Sequence, residues 1–255
     1  MTDPSVGVVL PAYRPDVDRL RGYIDRLDAG LGPEAILVEL DSPRDETAAA
    51  LSDTAGRVET VQRRRGKGAA ITTGFERLET DVLAFADADG ATPVDSFGDV
   101  LNPVVGGDAE LAVGSRRHPE SDIADQQTLL RRLLGDGFSW LAGTLLSARL
   151  HDYQCGAKAI DAESWGKIRE HLCEPGFAWD VELVAIAAAL DLRIEEVPIE
   201  WEDQPGSTVS PVHDSLDLFR ALVAARSRSK QLREDRFNSI GAVRDNRETP
   251  LIKRQ

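Results

Sequence analysis

Five short apolar runs constrain this 255-residue chain more than any other feature: Val6 to Leu10, Ala35 to Leu40, Arg57 to Gln62, Val82 to Ala86 and Leu111 to Gly114. Each is rich in β-branched or aliphatic residues, is too short for a stable helix, and is followed by a helix-like segment. Val82-Leu83-Ala84-Phe85-Ala86 has no polar position for a solvent face, so it requires cover on both sides. That pattern predicts a doubly wound α/β architecture, a sheet between two layers of helices. Such sheets bind ligands at the carboxyl ends of their strands. Three unusual polar clusters fall there: Pro11-Ala12-Tyr13-Arg14, Glu39-Leu40-Asp41-Ser42 and Asp87-Ala88-Asp89.

The second half reads as more helical. Leu130, Leu133, Leu134, Phe138, Leu141 and Leu145 recur at helical spacing within Gln127 to Leu150, and Val181 to Leu190 is a compact apolar helix. Arg193 to Trp201 returns to a strand. Residues 214 to 232 read as an amphipathic helix with Leu216, Phe219, Leu222 and Val223 on one side, after which the polar chain is expected to fray. The expected division is a domain over residues 1–213 and a C-terminal helix with a basic tail over 214–255.

Charge supports that division. The chain carries 30 Lys+Arg against 44 Asp+Glu, a net charge of −14, which argues against a nucleic-acid binder. Residues 219–255 hold ten basic and four acidic side chains, so a +6 tail follows a −20 body. Such asymmetry fits either an anionic partner such as a membrane surface or a solvated terminus. No stretch approaches the ~18 apolar residues of a membrane span, and the N-terminus lacks a secretory pattern, so a cytoplasmic or peripheral membrane protein is expected. Cys155 and Cys173 are too few for a disulfide framework and lack zinc-ligand spacing, which predicts two reduced thiols.

Asp87 and Asp89, directly after a buried strand, place two carboxylates where a divalent cation with oxygen ligands can be held. Taken alone, the same pair reads equally as a solvated turn before a helix starting near Thr92-Pro93. Gly66-Lys67-Gly68 follows the basic run Arg63 to Arg65 and opens a helix over Ala69 to Leu78, with amides able to meet phosphate. Neither a Walker A loop nor a G-x-G-x-x-G turn is present, which counts against P-loop and Rossmann chemistry.

In this order the pieces resemble glycosyltransferase family 2. They are VVLPAYRPD (Val8 to Asp16), the strand ending at Glu39, GKGAAITTGF (Gly66 to Phe75), FADAD (Phe85 to Asp89), GSR (Gly114 to Arg116) and the pair Arg131-Arg132. DYQCGAKAI (Asp152 to Ile160), FAWDVEL (Phe177 to Leu183) and EVPIEW followed by Gly206-Ser207 continue it. The later pieces narrow the resemblance to the polyprenyl-phosphate hexosyltransferases, of the dolichyl-phosphate glucosyltransferase and dolichyl-phosphate mannosyltransferase kind.

The resemblance implies the GT-A nucleotide-sugar fold, with a mostly parallel, mixed sheet covered by helices on both faces. It implies a metal-dependent, inverting hexose transfer from a nucleotide sugar, UDP-glucose favoured over GDP-mannose, to a polyprenyl (dolichyl) phosphate at the cytosolic membrane face. Pro11, Ala12, Tyr13, Glu39, Asp41, Lys67, Asp87 and Ala88 are the implied nucleotide contacts, and Asp87 with Asp89 the ligands of Mg²⁺ or Mn²⁺. Arg116, Arg131, Arg132, Gln154 and Ser207 are the implied acceptor contacts. Asp89, Asp152 and Arg131 are the implied catalytic set, with Asp152 and Asp180 as sugar-hydroxyl or general-base candidates.

The chain also departs from the family pattern. Glu39-Leu40-Asp41-Ser42 stands where D-D-G-S is usual, Arg14 where Asn is usual, and Thr208 where Lys often follows Gly-Ser. These changes keep two alternatives open: a non-catalytic nucleotide-sugar-binding subunit, and an enzyme with a soluble or protein-attached acceptor.

Overall fold

Seven strands pair in the order β3-β2-β1-β4-β6-β5-β7. They are β1 (Val6–Tyr13), β2 (Ala35–Asp41), β3 (Arg57–Val61), β4 (Val82–Ala86), β5 (Leu111–Ser115), β6 (Ala157–Asp161) and β7 (Ile194–Pro198). The computed structural model describes residues 3–44, 46–121, 142–146, 148–202, 211–237 and 249–254, with side chains at 219–234 of the last long helix. All pairings are parallel except those of β6, which runs antiparallel to both β4 and β5. The sheet is therefore mixed and mostly parallel, as expected. β6 itself is not among the runs the sequence singled out, because Lys158 interrupts its apolar pattern.

The helices are α1 (Val17–Leu31), α2 (Thr47–Ala50), α3 (Lys67–Phe75), α4 (Val94–Val105), α5 (Ala162–Ile168), α6 (Trp179–Ala189) and α7 (Pro211–Phe237). Helix α1 starts where the Asp16 carboxylate accepts the Arg19 amide at 3.1 Å, and it buries Leu20, Tyr23, Ile24 and Leu27, one stripe at helical spacing. Alternation along β1 divides the core in two. Val8, Leu10 and Ala12 join α1 and α4 residues such as Leu20 and Phe97 on one face. Val9 joins Ile71, Phe75, Trp179 and Val184 of α3 and α6 on the other.

Every residue of α6 is buried, Asp180 and Glu182 included. A helix apolar on all sides needs a second layer over it, and α7 supplies that layer. Leu222 and Ala225 are fully buried in the same core as Trp179, while Phe219 and Val223, also on the expected apolar stripe, remain 48% and 46% exposed. Arg228 Nε lies 2.7 Å from Glu182 Oε1, and Arg233 donates to the Ala188 carbonyl at 2.9 Å. The terminus also packs back: the Leu251 amide donates to the Leu172 carbonyl at 2.8 Å, and Leu251 is buried in that core. The expected boundary at 213/214 falls within α7, and Leu222, Ala225 and Leu251 beyond it join the core of α3 and α6. The expected helix over 127–150 falls mainly outside the described residues, although 142–145 are helical.

Leu222→Ala should lower unfolding free energy by about 2–5 kcal/mol, the range for truncating a buried leucine, as read by urea denaturation. Val223→Ala on the exposed face should change it far less.

Candidate functional site

The first part of the site is built at the carboxyl ends of β1 and β2, where Tyr13 and Asp41 are register partners. Arg64 stacks its guanidinium 4.3 Å from the Tyr13 ring centroid, with Arg14 at 5.2 Å. Arg14 and Ser42, immediately after these strands, adopt left-handed backbone at φ 49° and 47°. Such strain outside glycine costs about 1–3 kcal/mol each and clusters at functional turns. Of the other expected contacts on β1, Pro11 is half-buried and Ala12 belongs to the core.

The substituted acidic stretch on β2 becomes intelligible through strand alternation. Leu40 faces the α1 core and is fully buried, so a carboxylate there would have had to enter that core. Glu39 and Asp41 bear on Arg65. Asp41 accepts the Arg65 amide at 2.6 Å, its Nε at 2.7 Å and the Gly66 amide at 3.1 Å. Glu39 accepts Arg65 Nη2 at 2.7 Å and also Arg77 Nη1. Glu39 is fully buried with both oxygens occupied, so its reach toward a ligand runs through Arg65.

Gly66 turns the chain from this fork into α3. Its φ is +102°, and a Cβ there would lie 2.4 Å from the Pro175 carbonyl oxygen, which accepts the Ala69 amide at 3.1 Å. The loop before α6 is thereby seated on the first turn of α3. Glu182 secures that loop by accepting the amides of Cys173 at 2.9 Å and Glu174 at 2.7 Å.

Lys67, next in the chain, holds its ammonium 2.9 Å from Asp87 Oδ1 and 3.2 Å from Asp180 Oδ2. The other oxygen of Asp180 is 2.6 Å from Lys158 Nζ, which also donates to the Cys155 carbonyl at 2.7 Å. Both ammonium groups sit beside the Phe85 ring, at 5.1 and 5.7 Å from its centroid. Burial disfavours the charged lysine at position 67, but Asp180 and Asp87 more than compensate and its pKa is raised. Asp87 fits only because residue 156 is glycine: a Cβ there would meet Asp87 Oδ2 at 1.9 Å.

Asp89 accepts the Ala91 amide at 3.0 Å, so the pair does shape the turn leading to α4, with Ala88 half-buried between them. Burial and then the neighbouring Asp87 charge raise the Asp89 pKa. A carboxylate whose ionisation burial and a neighbouring charge both disfavour suits a divalent cation, which relieves both effects. Among the described residues no third His, Cys, Asp or Glu joins them. That donor set fits Mg²⁺ or Mn²⁺, which retains positions for water and phosphate oxygens.

The third part is a fixed guanidinium at the end of β5. Arg116 donates from Nε to Asp152 Oδ2 at 2.6 Å and from Nη2 to Oδ1 at 3.1 Å, with the Trp201 ring centroid 4.9 Å away. Gln154 places its amide 3.0 Å from the same carboxylate. Burial would push the Asp152 carboxyl up, but Arg116 more than reverses this and holds it at about 2. So strong an acid is a poor proton acceptor. Of the two roles expected of Asp152, sugar-hydroxyl contact or base, this low pKa does not suit the second, and in the structure the carboxylate accepts both Arg116 donors. Asp180, the other base candidate, is enclosed between two ammonium groups. Cys155 is buried with its thiol pushed up to about 12, chiefly by desolvation, and both cysteines are reduced as expected. Arg131, Arg132 and Ser207 lie outside the described residues.

Two members of the site escaped the sequence reading. Arg65 is one of three consecutive arginines with nothing in the sequence to set it apart, and Lys158 lies within a motif with no separate role. The available signals were an arginine beside a phosphate-type glycine turn, and a lysine flanked by alanines in an apolar run.

Comparison with known proteins agrees with the geometry. The model of the family described as Glycosyl transferase family 2 matches residues 8–156. The dolichyl-phosphate beta-glucosyltransferase of Homo sapiens is 30% identical over 246 residues, covering 88% of this chain and 75% of the relative. Its namesake in Dictyostelium discoideum is 28% identical over 244 residues, covering 88% and 74%. A solved structure of glucosyl-3-phosphoglycerate synthase from Mycobacterium tuberculosis, with Mn²⁺, UDP-glucose and phosphoglyceric acid, superposes at a TM-score of 0.66 with 17% identity. It covers 88% of this chain and 80% of the other, a likeness of fold.

The depressed Asp152 pKa has a definite consequence. Its stabilising contribution is present above the unfolded value near pH ~4 and is lost as pH falls through about 2. Asp152→Asn should cost on the order of 2 kcal/mol at pH 6, and the gap to the unmodified chain should close between pH ~4 and ~2, measured by urea denaturation.

Proposed function

The chain belongs to glycosyl transferase family 2, and from that membership we propose that it transfers glucose from UDP-glucose to a polyprenyl phosphate of the dolichyl type. The observation that carries this reading is the pairing of two fixed charge centres at the strand ends. Asp87 and Asp89 form a cation-binding pair after β4, while Arg116, after β5, is a guanidinium locked by Asp152. The relatives named for glucose transfer to dolichyl phosphate support the choice of sugar and acceptor.

In this scheme the nucleotide lies over Tyr13 and the Arg64–Arg65 turn, with its diphosphate directed toward Asp87 and Asp89. A divalent cation at Asp87 and Asp89, when bound, supplies Lewis-acid neutralisation of charge on the departing diphosphate. Arg116 orients the acceptor phosphate: two of its donors are spent on Asp152, and among the described residues no other carboxylate claims the rest. A phosphate monoester with a second pKa of ~6 is mostly dianionic at neutral pH, so no protein base is required. Its oxygen attacks the anomeric carbon in line, the bond from that carbon to the diphosphate oxygen breaks, and the configuration inverts. Proximity and charge alignment supply the acceleration.

No helix among the described residues is long and apolar enough to cross a membrane. The acceptor is reached from the surface: the outer face of α7 presents Phe219 and Val223 beside exposed Arg220 and Lys230, a combination suited to the anionic cytosolic leaflet.

Purified protein incubated with polyprenyl phosphate, Mn²⁺ and either labelled UDP-glucose or GDP-mannose should yield a lipid-extractable sugar from UDP-glucose. Product from GDP-mannose alone would reassign the donor, and no product with either would leave the binding-subunit reading. EDTA or Asp89→Asn should abolish turnover without unfolding the chain. Phe219→Ser/Val223→Ser should lower co-flotation with anionic vesicles while sparing turnover of a detergent-dispersed acceptor. Unchanged flotation would sink the membrane-facing assignment of α7.

A further inference from the structure

Lys67 is shared between two carboxylates with different surroundings. Asp87 stands at the edge of the site with its side chain 32% exposed, whereas the Asp180 side chain is 2% exposed and is already held by Lys158. A cation arriving at Asp87 competes with an ammonium 2.9 Å away. Displacing that ammonium into a buried space with no counter-charge would set a strong barrier to loading.

We propose that Asp180, fixed by Lys158, is the alternative seat for Lys67, a positioning residue that lets the ammonium leave Asp87 when a divalent cation binds there. This rests on the reading of Asp87 and Asp89 as the cation pair. The geometry makes the exchange short: Lys67 Nζ is already within 3.2 Å of Asp180 Oδ2, so the ammonium transfers its weight between partners without leaving the pocket. Lys158 occupies Asp180 Oδ1 and donates to the Cys155 carbonyl, which fixes the carboxylate in the orientation that presents Oδ2. The chain Lys158–Asp180–Lys67–Asp87 alternates in charge, and after the exchange the two ammonium groups share the Asp180 carboxylate, one on each oxygen. Lys158, buried in the middle of a strand, is explained as the back support of this exchange rather than as a ligand contact.

The test is Mn²⁺ binding followed by the electron paramagnetic resonance of free Mn²⁺, with the metal alone and with UDP. Asp180→Asn should weaken Mn²⁺ binding roughly five- to tenfold, the low end of typical coupling between sites. Lys158→Met/Asp180→Asn, in which the buried ammonium leaves with the carboxylate, should weaken it similarly and guards against a folding defect in the single variant. In a Lys67→Met background the same changes should have almost no effect, because nothing then has to be displaced. A weakening of equal size with and without Lys67 would mean that Asp180 acts through its field alone, and would overturn the proposal. So would unaltered binding in both Asp180 variants while the unmodified chain binds Mn²⁺. Failure of the unmodified chain to bind Mn²⁺ at all would remove the cation reading and this inference together.

Discussion

Burying carboxylates in an apolar interior is tolerable only where cations meet them, and that constraint organises this structure. Five Asp or Glu side chains are buried among the described residues: Glu39, Asp41, Asp152, Asp180 and Glu182. Arg65 serves the first two, Arg116 the third, Lys158 with Lys67 the fourth and Arg228 the fifth. Breaking any one of these pairs by removing a partner leaves an uncompensated charge, which costs more than forming the pair contributes. The pairs therefore act as fixed points, and the first four lie where strand ends meet the site. The loop between β3 and α3, the loop before α6 and the end of β5 are each located by one of them.

The sequence disclosed the fold readily because apolar runs and strand burial express the same requirement. Val82 to Ala86 has nowhere to lie except between two helical layers, and the two residues after it open the site. What stayed hidden was a strand whose short apolar run is broken by a buried lysine. β6 is such a case: Lys158 breaks its run, and only the distant Asp180, 22 positions on, makes that lysine acceptable inside the sheet. Arg65 was obscured differently, since three adjacent arginines look alike until the alternation of β2 brings Glu39 and Asp41 to bear on one of them. The departures at Leu40 and Asp41 likewise made sense only once strand facing was known. Leu40 belongs to the α1 core, and the acidic character survives on the Arg65 side.

Local pattern also gave an incomplete account of the C-terminal segment. The basic residues and apolar stripe of 214–232 fit a surface helix, and part of that is visible in exposed Phe219 and Val223. Yet Leu222 and Ala225 close the core over α6, a helix buried on every side. Helix α7 thus has two faces with separate duties. Through Glu182 its inner face is linked to the loop that rests on the Gly66 turn, so docking of α7 and the shape of that turn share one set of contacts.

The antiparallel course of β6 separates the bounds of the family pattern from the bounds of a unit able to fold. The family match ends at residue 156, one position before that strand begins. Among the described residues β5 pairs with β6 and β7, both of which come later in the chain. A fragment cut where the family pattern ends would hold Asp87 and Asp89 yet leave β4 with an open edge and β5 without those neighbours. It would also lack Lys158 and Asp180, so Lys67 would lose its deeper partner. The span of the family pattern is consequently not a module: it is carried on a sheet that only the residues after it can close.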